Sequence, residues 1–321
     1  MRTSYLIGAG AGLVSSALFA AAATAAVFAG ALLYLAPLPV CLAGLGWGAS
    51  AAIAAAITGS LVLAFSFGPI VGLAFALVIG APVAFLCHLL LLSRSTTQGE
   101  LPQGELPVVE WYPIGRLVGW TAVVAGALGA LMILILGYDL DALRESIRQM
   151  LQSDAFQQLD PDGTLFTPEN AERLSDVLAR ALPAAFAIVW MTVTLFNLWI
   201  GGLISHASGR AMRPWPKLNA MEVPNVFFLA FVVTLILSFM PGMIGLVATG
   251  FAGALLLAFV LQGLAVIHAA TQGMPMRGLL LAAIYAGIFL LGWVAIVIAI
   301  IGLAEPMLNL RARGGSNTKT D

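Results

Sequence analysis

Charge is what this sequence has least of. Lysine and arginine number 14 and aspartate and glutamate 15 in 321 residues, so only 9% of the chain is charged, against about a quarter in an average soluble domain. With 61% hydrophobic residues and a mean hydropathy of +1.01, a soluble globular fold is excluded, and the composition is that of a polytopic membrane protein. The net charge of −1 gives no overall basic field, so no nucleic-acid partner is expected. Cysteine is nearly absent. Cys41 and Cys87 both fall in apolar runs, where a thiol acts as a small hydrophobe, and neither belongs to a CxxC or Cys/His ligand spacing. Glycines followed by Lys-Ser/Thr, HExxH and G-x-S-x-G are missing too. No nucleophile, base and acid group together, so we expect no enzyme, no catalytic residue, no cofactor and no metal. No Asp, Glu, Lys or Arg falls deep in a predicted span, which argues against proton pumps, ion-coupled carriers and voltage sensors.

What is present is apolar sequence in long runs. Residues 5 to 35 carry no charge and outrun the h-region of a secretory signal, so they read as a span. At 1.5 Å per residue they would reach roughly 45 Å as one helix, enough to force a tilt. Pro37 and Pro39 end that run. Residues 38 to 67, with Gly44, Gly46, Gly48 and Gly59, predict two short helices breaking near residues 47 to 50. The Phe67-Gly68-Pro69 break opens a span over 69 to 92. A polar loop over 93 to 113 ends in Trp111-Tyr112-Pro113, an interface belt. Further spans follow at 114 to 137, 183 to 206, 224 to 240, 243 to 268 and 278 to 303. The expected fold is therefore an all-α polytopic transmembrane helix bundle of eight or nine spans. Its parts are an N-terminal block (1–138, spans 1–5), an extramembrane amphipathic hairpin (139–182), a C-terminal block (183–304, spans 6–9) and a polar tail (305–321).

The hairpin is the one long hydrophilic segment. It holds nine of the fifteen acids and four arginines. Leu140, Leu143, Ile147, Met150 and Leu151 recur at helical spacing, and Leu174, Val177, Leu178 and Ala181 mark a second helix. Asp160-Pro161-Asp162-Gly163 predicts a tight turn. It is not a calcium loop, because glycine comes fourth and glutamate tenth. Thr167-Pro168-Glu169 predicts a helix start.

Four features invite a functional reading. Trp190, Thr194, Asn197, Gly201 and Ser205 follow at i+3 and i+4, so one face of span 6 is aromatic, polar and small. It fits either interhelical hydrogen bonding or a pocket wall in which Trp190 stacks on a ligand and Asn197 fixes it. Gln262 is a lone amide in an apolar run, with the same two readings. Ala17, Ala21, Ala25 and Ala29 repeat every fourth residue, a flat stripe for close helix approach, with Gly8, Gly12 and Ser16 as a second row. His88, His206 and His268 all fall where helices should emerge on one side. They read as interfacial residues rather than a metal set.

Leu35-Ala36-Pro37-Leu38-Pro39, then Gly44, Gly46-Trp47-Gly48, Gly68-Pro69 and Gln262-Gly263-Leu264-Ala265, resemble the YybS-like family of uncharacterised bacterial membrane proteins. That family is distantly similar to the substrate-binding S components of energy-coupling-factor vitamin transporters. Those have six spans and dock on a transmembrane coupling subunit through Ala-x-x-x-Ala in their first helix, a pattern that Ala17, Ala21, Ala25 and Ala29 match. The resemblance implies capture of a small, vitamin-like molecule, not identified by the sequence, with energy from separate ATPase subunits. Trp190, Thr194, Asn197 and Gln262 would be its ligand residues, and lipid, coupling and ATPase subunits its partners. The alternative is a non-transporting scaffold or assembly factor of the bacterial cell envelope.

Orientation follows from local charge. Each hairpin arginine has an acid three or four residues before it, whereas Arg210 and Arg213 have none. Uncompensated cations mark the cytoplasmic side, so the hairpin should lie outside the bacterial inner membrane. A Gln158→Cys variant lacking Cys41 and Cys87 should react with an impermeant thiol reagent on intact cells; labelling only after lysis reverses this topology.

Overall fold

The computed structural model describes residues 2–22, 28–95, 109–135, 140–158, 162 and 164–308. It is an all-α polytopic bundle. Among the described residues seven helical stretches are long and apolar enough to cross a membrane, from Arg2–Ala22 to Gly242–Ala270, and three shorter apolar helices accompany them. The chain divides into two compact units. The first comprises Met1–Thr121, Met191–Pro224 and Phe259–Asp321; the second comprises Ala122–Trp190 and Asn225–Ala258.

In the first unit α1 (Arg2–Ala22), α2 (Ala29–Leu35), α3 (Leu38–Trp47) and α4 (Ala49–Phe67) succeed one another. Residues 5 to 35, expected as one span, are divided. Arg2–Ala22 forms α1, and α2 joins α3 as a second apolar stretch, Ala29–Trp47. An alanine run is equally apolar as one helix or two, so hydropathy does not separate them. The two breaks expected further on occur at Gly48 and Gly68, with φ of 98° and 100°. A residue with a Cβ adopts such angles only under strain. Pro69 then opens α5 (Pro69–Phe75). A π-helical turn over Ala76–Gly80 follows before α6 (Ala81–Leu91). Pro82 lacks an N–H and would clash with the carbonyl of Val78, so the extra residue of the π turn lets the helix pass it.

The packing of α1 on α4 is made by absence of side chains. A Cβ on Gly8 would run into Ala51 O, and one on Gly12 into Ala55 O. Gly59 leaves room for the ring of Phe75, which meets Phe19 edge-on at 5.6 Å. In place of an apolar driving force, van der Waals contact between such close backbones holds membrane helices together. Ser15 adds a hydrogen bond, its Oγ donating to Ala36 O at 2.5 Å. After α6 a short antiparallel ribbon pairs β1 (Ser93–Ser95) with β2 (Val109–Trp111) in the polar loop. Arg94 and Glu110 face each other across it at 2.7 Å.

α7 (Ile114–Ile135) and α10 (Pro168–Ala207) each contribute to both units. In the second unit, α8 (Leu140–Leu151), the short α9 (Asp154–Gln157) and the start of α10 form the helical arm. Thr167 caps α10, its Oγ1 accepting from Asn170 N–H at 3.2 Å, and Pro168 takes the first turn. The i+3 and i+4 pairs expected from sequence are all made: Asp141–Arg144, Glu145–Arg148, Glu169–Arg173 and Asp176–Arg180. Hydrogen bonds from Gln149 and Arg148 hold the Glu145 carboxyl below its usual pKa. Arg144 also reaches Asp176 and so ties the arms together. Leu151, Ala171, Ser175 and Ala179 are buried. The second arm does not stop at Leu182. α10 runs 40 residues without interruption, about 60 Å, twice the hydrocarbon thickness. Pro183 lies inside it, close to Gly129 and Gly250, while Gly253 fits against Ala184 and Gly126 against the ring of Phe251.

α11 (Asn225–Leu237), α12 (Gly242–Ala270), α13 (Arg277–Leu291) and α14 (Val294–Leu308) complete the chain. The expected last span, 278 to 303, is therefore two helices. Gly292, at φ 56°, makes the break.

The glycine contacts predict a sharp asymmetry along α1. Gly12→Val should overpack the α1–α4 contact and cost about 1–3 kcal/mol, whereas Ala17→Leu, at an exposed position, should leave the melting temperature in detergent unchanged. Equal melting of the two variants would show that α1 does not pack on α4 in this way.

Candidate functional site

Gln262 is the clearest polar feature in the apolar core. It lies on α12 with its side chain fully buried (0% exposed). Its Oε1 accepts from Val223 N–H at 2.6 Å, and its Nε2 donates to Gly302 O at 2.8 Å. Two glycines make that reach possible. A Cβ on Gly302 would overlap Phe259 O, and one on Gly263 would overlap Ile298 O, so α14 lies almost backbone-to-backbone on α12. The same amide anchors the segment before α11, in which Met221 and Val223 are buried. Gly115 admits the Glu222 carbonyl alongside α7. Gln262 is thus a three-way cross-link.

Asn197 on α10 is also fully buried (0% exposed). Its Nδ2 donates to Tyr34 O on α2 at 2.7 Å and to Val193 O in its own helix at 2.7 Å, while Oδ1 has no partner. Thr194 and Ser205 on this face are buried with it, and Gly201 lies against Cys41 and Leu45. The periodicity therefore identified an inward face within the first unit. Trp190 is buried too, but it belongs to the second unit. Gln262 and Asn197 engage different partners, so the structure gives these two amides separate structural tasks.

The alanines of the expected stripe are divided between two helices. Ala17 and Ala21 lie on α1, Ala29 is the first residue of α2, and Ala25 lies outside the described residues. The four do not form one row on one helix. The small residues of α1 buried against a neighbour are Gly8, Gly12, Ser15 and Ser16.

Two features escaped sequence reasoning. Glu305, placed in the polar tail by its charge, lies within α14 and is 6% exposed. It shares a helix face with Ile298 and Gly302 at i+3 and i+4, the signal that would have found it. The basic loop after α10 is also folded down onto helix ends. Met212 N–H donates to Leu45 O at 3.3 Å. The Arg210 guanidinium stacks 5.3 Å from the centre of the Trp47 ring, and that of Arg213 lies 5.8 Å from Trp111. Arg213 also donates from Nη1 to Leu90 O, a C-terminal carbonyl of α6, at 3.1 Å. Burial pushes the Arg213 pKa down.

The histidines are spread over the helix ends. His206 lies 6.1 Å from the Trp215 ring, and His268 meets Leu264 O through Nδ1 at 2.9 Å and the Tyr285 hydroxyl through Nε2 at 3.5 Å. Among the described residues no three His, Cys, Asp or Glu side chains cluster as a metal site. Cys41 and Cys87 are buried free thiols.

Long apolar helices, cross-linked amides and glycine-mediated contacts define an integral, multi-pass membrane protein. Within that class the chain belongs to the DUF2232 family, described as a predicted membrane protein, whose model matches residues 13–305. No curated protein and no solved structure matches the chain.

The bridging role of Gln262 is measurable. Gln262→Leu strands two buried backbone groups, the Val223 N–H and the Gly302 carbonyl, at about 1–3 kcal/mol each. Asn197→Leu strands chiefly the Tyr34 carbonyl. Gln262→Leu should therefore lower the melting temperature in detergent more than Asn197→Leu; the reverse order would remove Gln262 from its place as the main polar cross-link.

Proposed function

We propose that this protein is a non-catalytic, non-transporting scaffold or assembly factor of the bacterial inner membrane, presenting its acidic helical arm on the outer face. One observation carries the reading: Gln262, the most deeply held amide of the apolar core, is spent between helices, with both its ends bonded to backbone. The unbroken α10 supports it, because the second helix of the arm continues as an apolar helix of 40 residues in all. The arm carries five more acids than arginines. Among the described residues Asp154, Asp162 and Glu172 make no ion pair, which leaves them for a basic segment of an envelope protein.

A second reading rests on Asn197. Its Oδ1 is a buried acceptor without a partner, and a hydroxyl or amine of a captured small molecule would satisfy it. That reading is the S-component-like one, a capture subunit working with a coupling subunit and ATPase subunits, and it keeps Thr194 as a pocket residue.

The two are separated by placing a photocrosslinking residue at Val177, exposed on the arm, and by a mass-spectrometric inventory of the purified protein. The scaffold reading expects a crosslinked envelope protein that is lost in the Asp154→Asn, Asp162→Asn, Glu172→Gln triple variant. A stoichiometric small molecule that co-purifies with the wild type but not with Asn197→Leu, without any crosslink, establishes capture instead.

A further inference from the structure

The loop over residues 208 to 217 holds its cations differently from the acidic arm and from Arg94. In the arm, and at Arg94, every arginine is neutralised by a carboxylate within 3.1 Å or closer. Arg210 and Arg213 have no carboxylate within ion-pair distance among the described residues, yet neither swings freely. Each guanidinium lies on an indole, Trp47 for Arg210 and Trp111 for Arg213. Arg213 is anchored further at Leu90 O. The backbone between them is pinned to α3 through Met212 N–H and Leu45 O. Gly209, at φ 67°, closes α10, and Arg210 N–H returns to Ser205 O at 2.9 Å, which directs the loop back over the helix ends.

Stacking occupies the faces of the two guanidiniums and leaves N–H edges for an acceptor. A planar fork of N–H donors matches a phosphate or phosphodiester in bidentate fashion. Depth selects the source of that phosphate. The loop closes over the ends of the apolar helices α3, α6 and α10, and tryptophans at such ends mark the headgroup layer. Just beneath it Leu92, Trp199, Leu203 and Ile204 turn exposed apolar side chains outward, as an acyl chain requires and a free anion does not.

We propose that Arg210 and Arg213, held against Trp47 and Trp111 at one end of the first unit, bind the phosphodiester headgroup of an anionic phospholipid, whose acyl chains run along the α10 surface at Trp199 and Leu203. The site exists without a partner protein and is independent of the scaffold reading. Half-buried charge at Arg213 is compensated when the lipid phosphate arrives, which gives the interaction a preference that diffuse surface charge lacks.

The full-length protein in zwitterionic detergent should retain phosphatidylglycerol in preference to phosphatidylcholine by native mass spectrometry, and its melting temperature should rise with phosphatidylglycerol alone. In the Arg210→Gln, Arg213→Gln variant the apparent affinity for phosphatidylglycerol should fall by about tenfold or more. Arg173→Gln, on the acidic arm and paired with Glu169, should leave it unchanged. Should the double variant melt abnormally without lipid, Arg210→Gln, whose side chain is exposed, serves alone. Equal retention of both lipids by the wild type, or an unchanged preference in the variants, overturns the proposal. So does inorganic phosphate that raises the melting temperature and displaces phosphatidylglycerol, since the site would then take a free anion.

Discussion

Hydrocarbon offers a polar group no water, and in this chain the consequence governs almost every contact. Helices satisfy their own backbones; side-chain amides and hydroxyls in apolar runs must find protein. Gln262 does so at both ends, and Ser15 and Asn197 each reach a carbonyl of a neighbouring helical segment. Such bonds are worth only about 0.6 kcal/mol on average in membranes, so they select which helices pair and in what register more than they drive association. Van der Waals contact supplies the remainder. It is available only where glycines remove the Cβ atoms that would otherwise hold the backbones apart, as at Gly8, Gly12, Gly263 and Gly302.

Outside the hydrocarbon the same chain obeys different rules. The arm is built from salt-bridged amphipathic helices, and exposed pairs of this kind contribute about 0.3–0.5 kcal/mol each. Their effect is to neutralise the arginines locally. The loop after α10 leaves Arg210 and Arg213 without acids and stacks them on tryptophans instead. One molecule therefore treats arginine in two ways: spent within the arm, and held ready at the helix ends.

The proposed functions rest on this contrast. An inward-facing asparagine with one unpaired oxygen is a small opening toward ligand capture, whereas a doubly bonded glutamine and a helix continuous from arm to bundle suit a structural role. The membrane family to which the chain belongs carries no assigned activity in its description, so the weighing falls to the residues themselves.

Composition and periodicity alone determined that this is an all-α multi-pass membrane protein, that a charged helical arm interrupts it, where Gly48 and Gly68 end helices, and that the Thr194–Asn197–Ser205 face turns inward. These are local matters, settled by the cost of charge in hydrocarbon, by φ > 0 at glycine and by the 3.6-residue repeat. Tertiary structure alone decided that residues 5 to 35 are shared between α1 and α2, that Ala29 belongs to a different helix from Ala17, that α10 continues through Leu182, and that Gln262 meets Val223 and Gly302. It likewise placed Glu305 inside α14. A run of apolar residues is equally content as one helix or two, and an amide in such a run equally suits a ligand or a carbonyl. Only the neighbours brought within reach by packing distinguish these alternatives, and they come from parts of the chain up to 163 residues away.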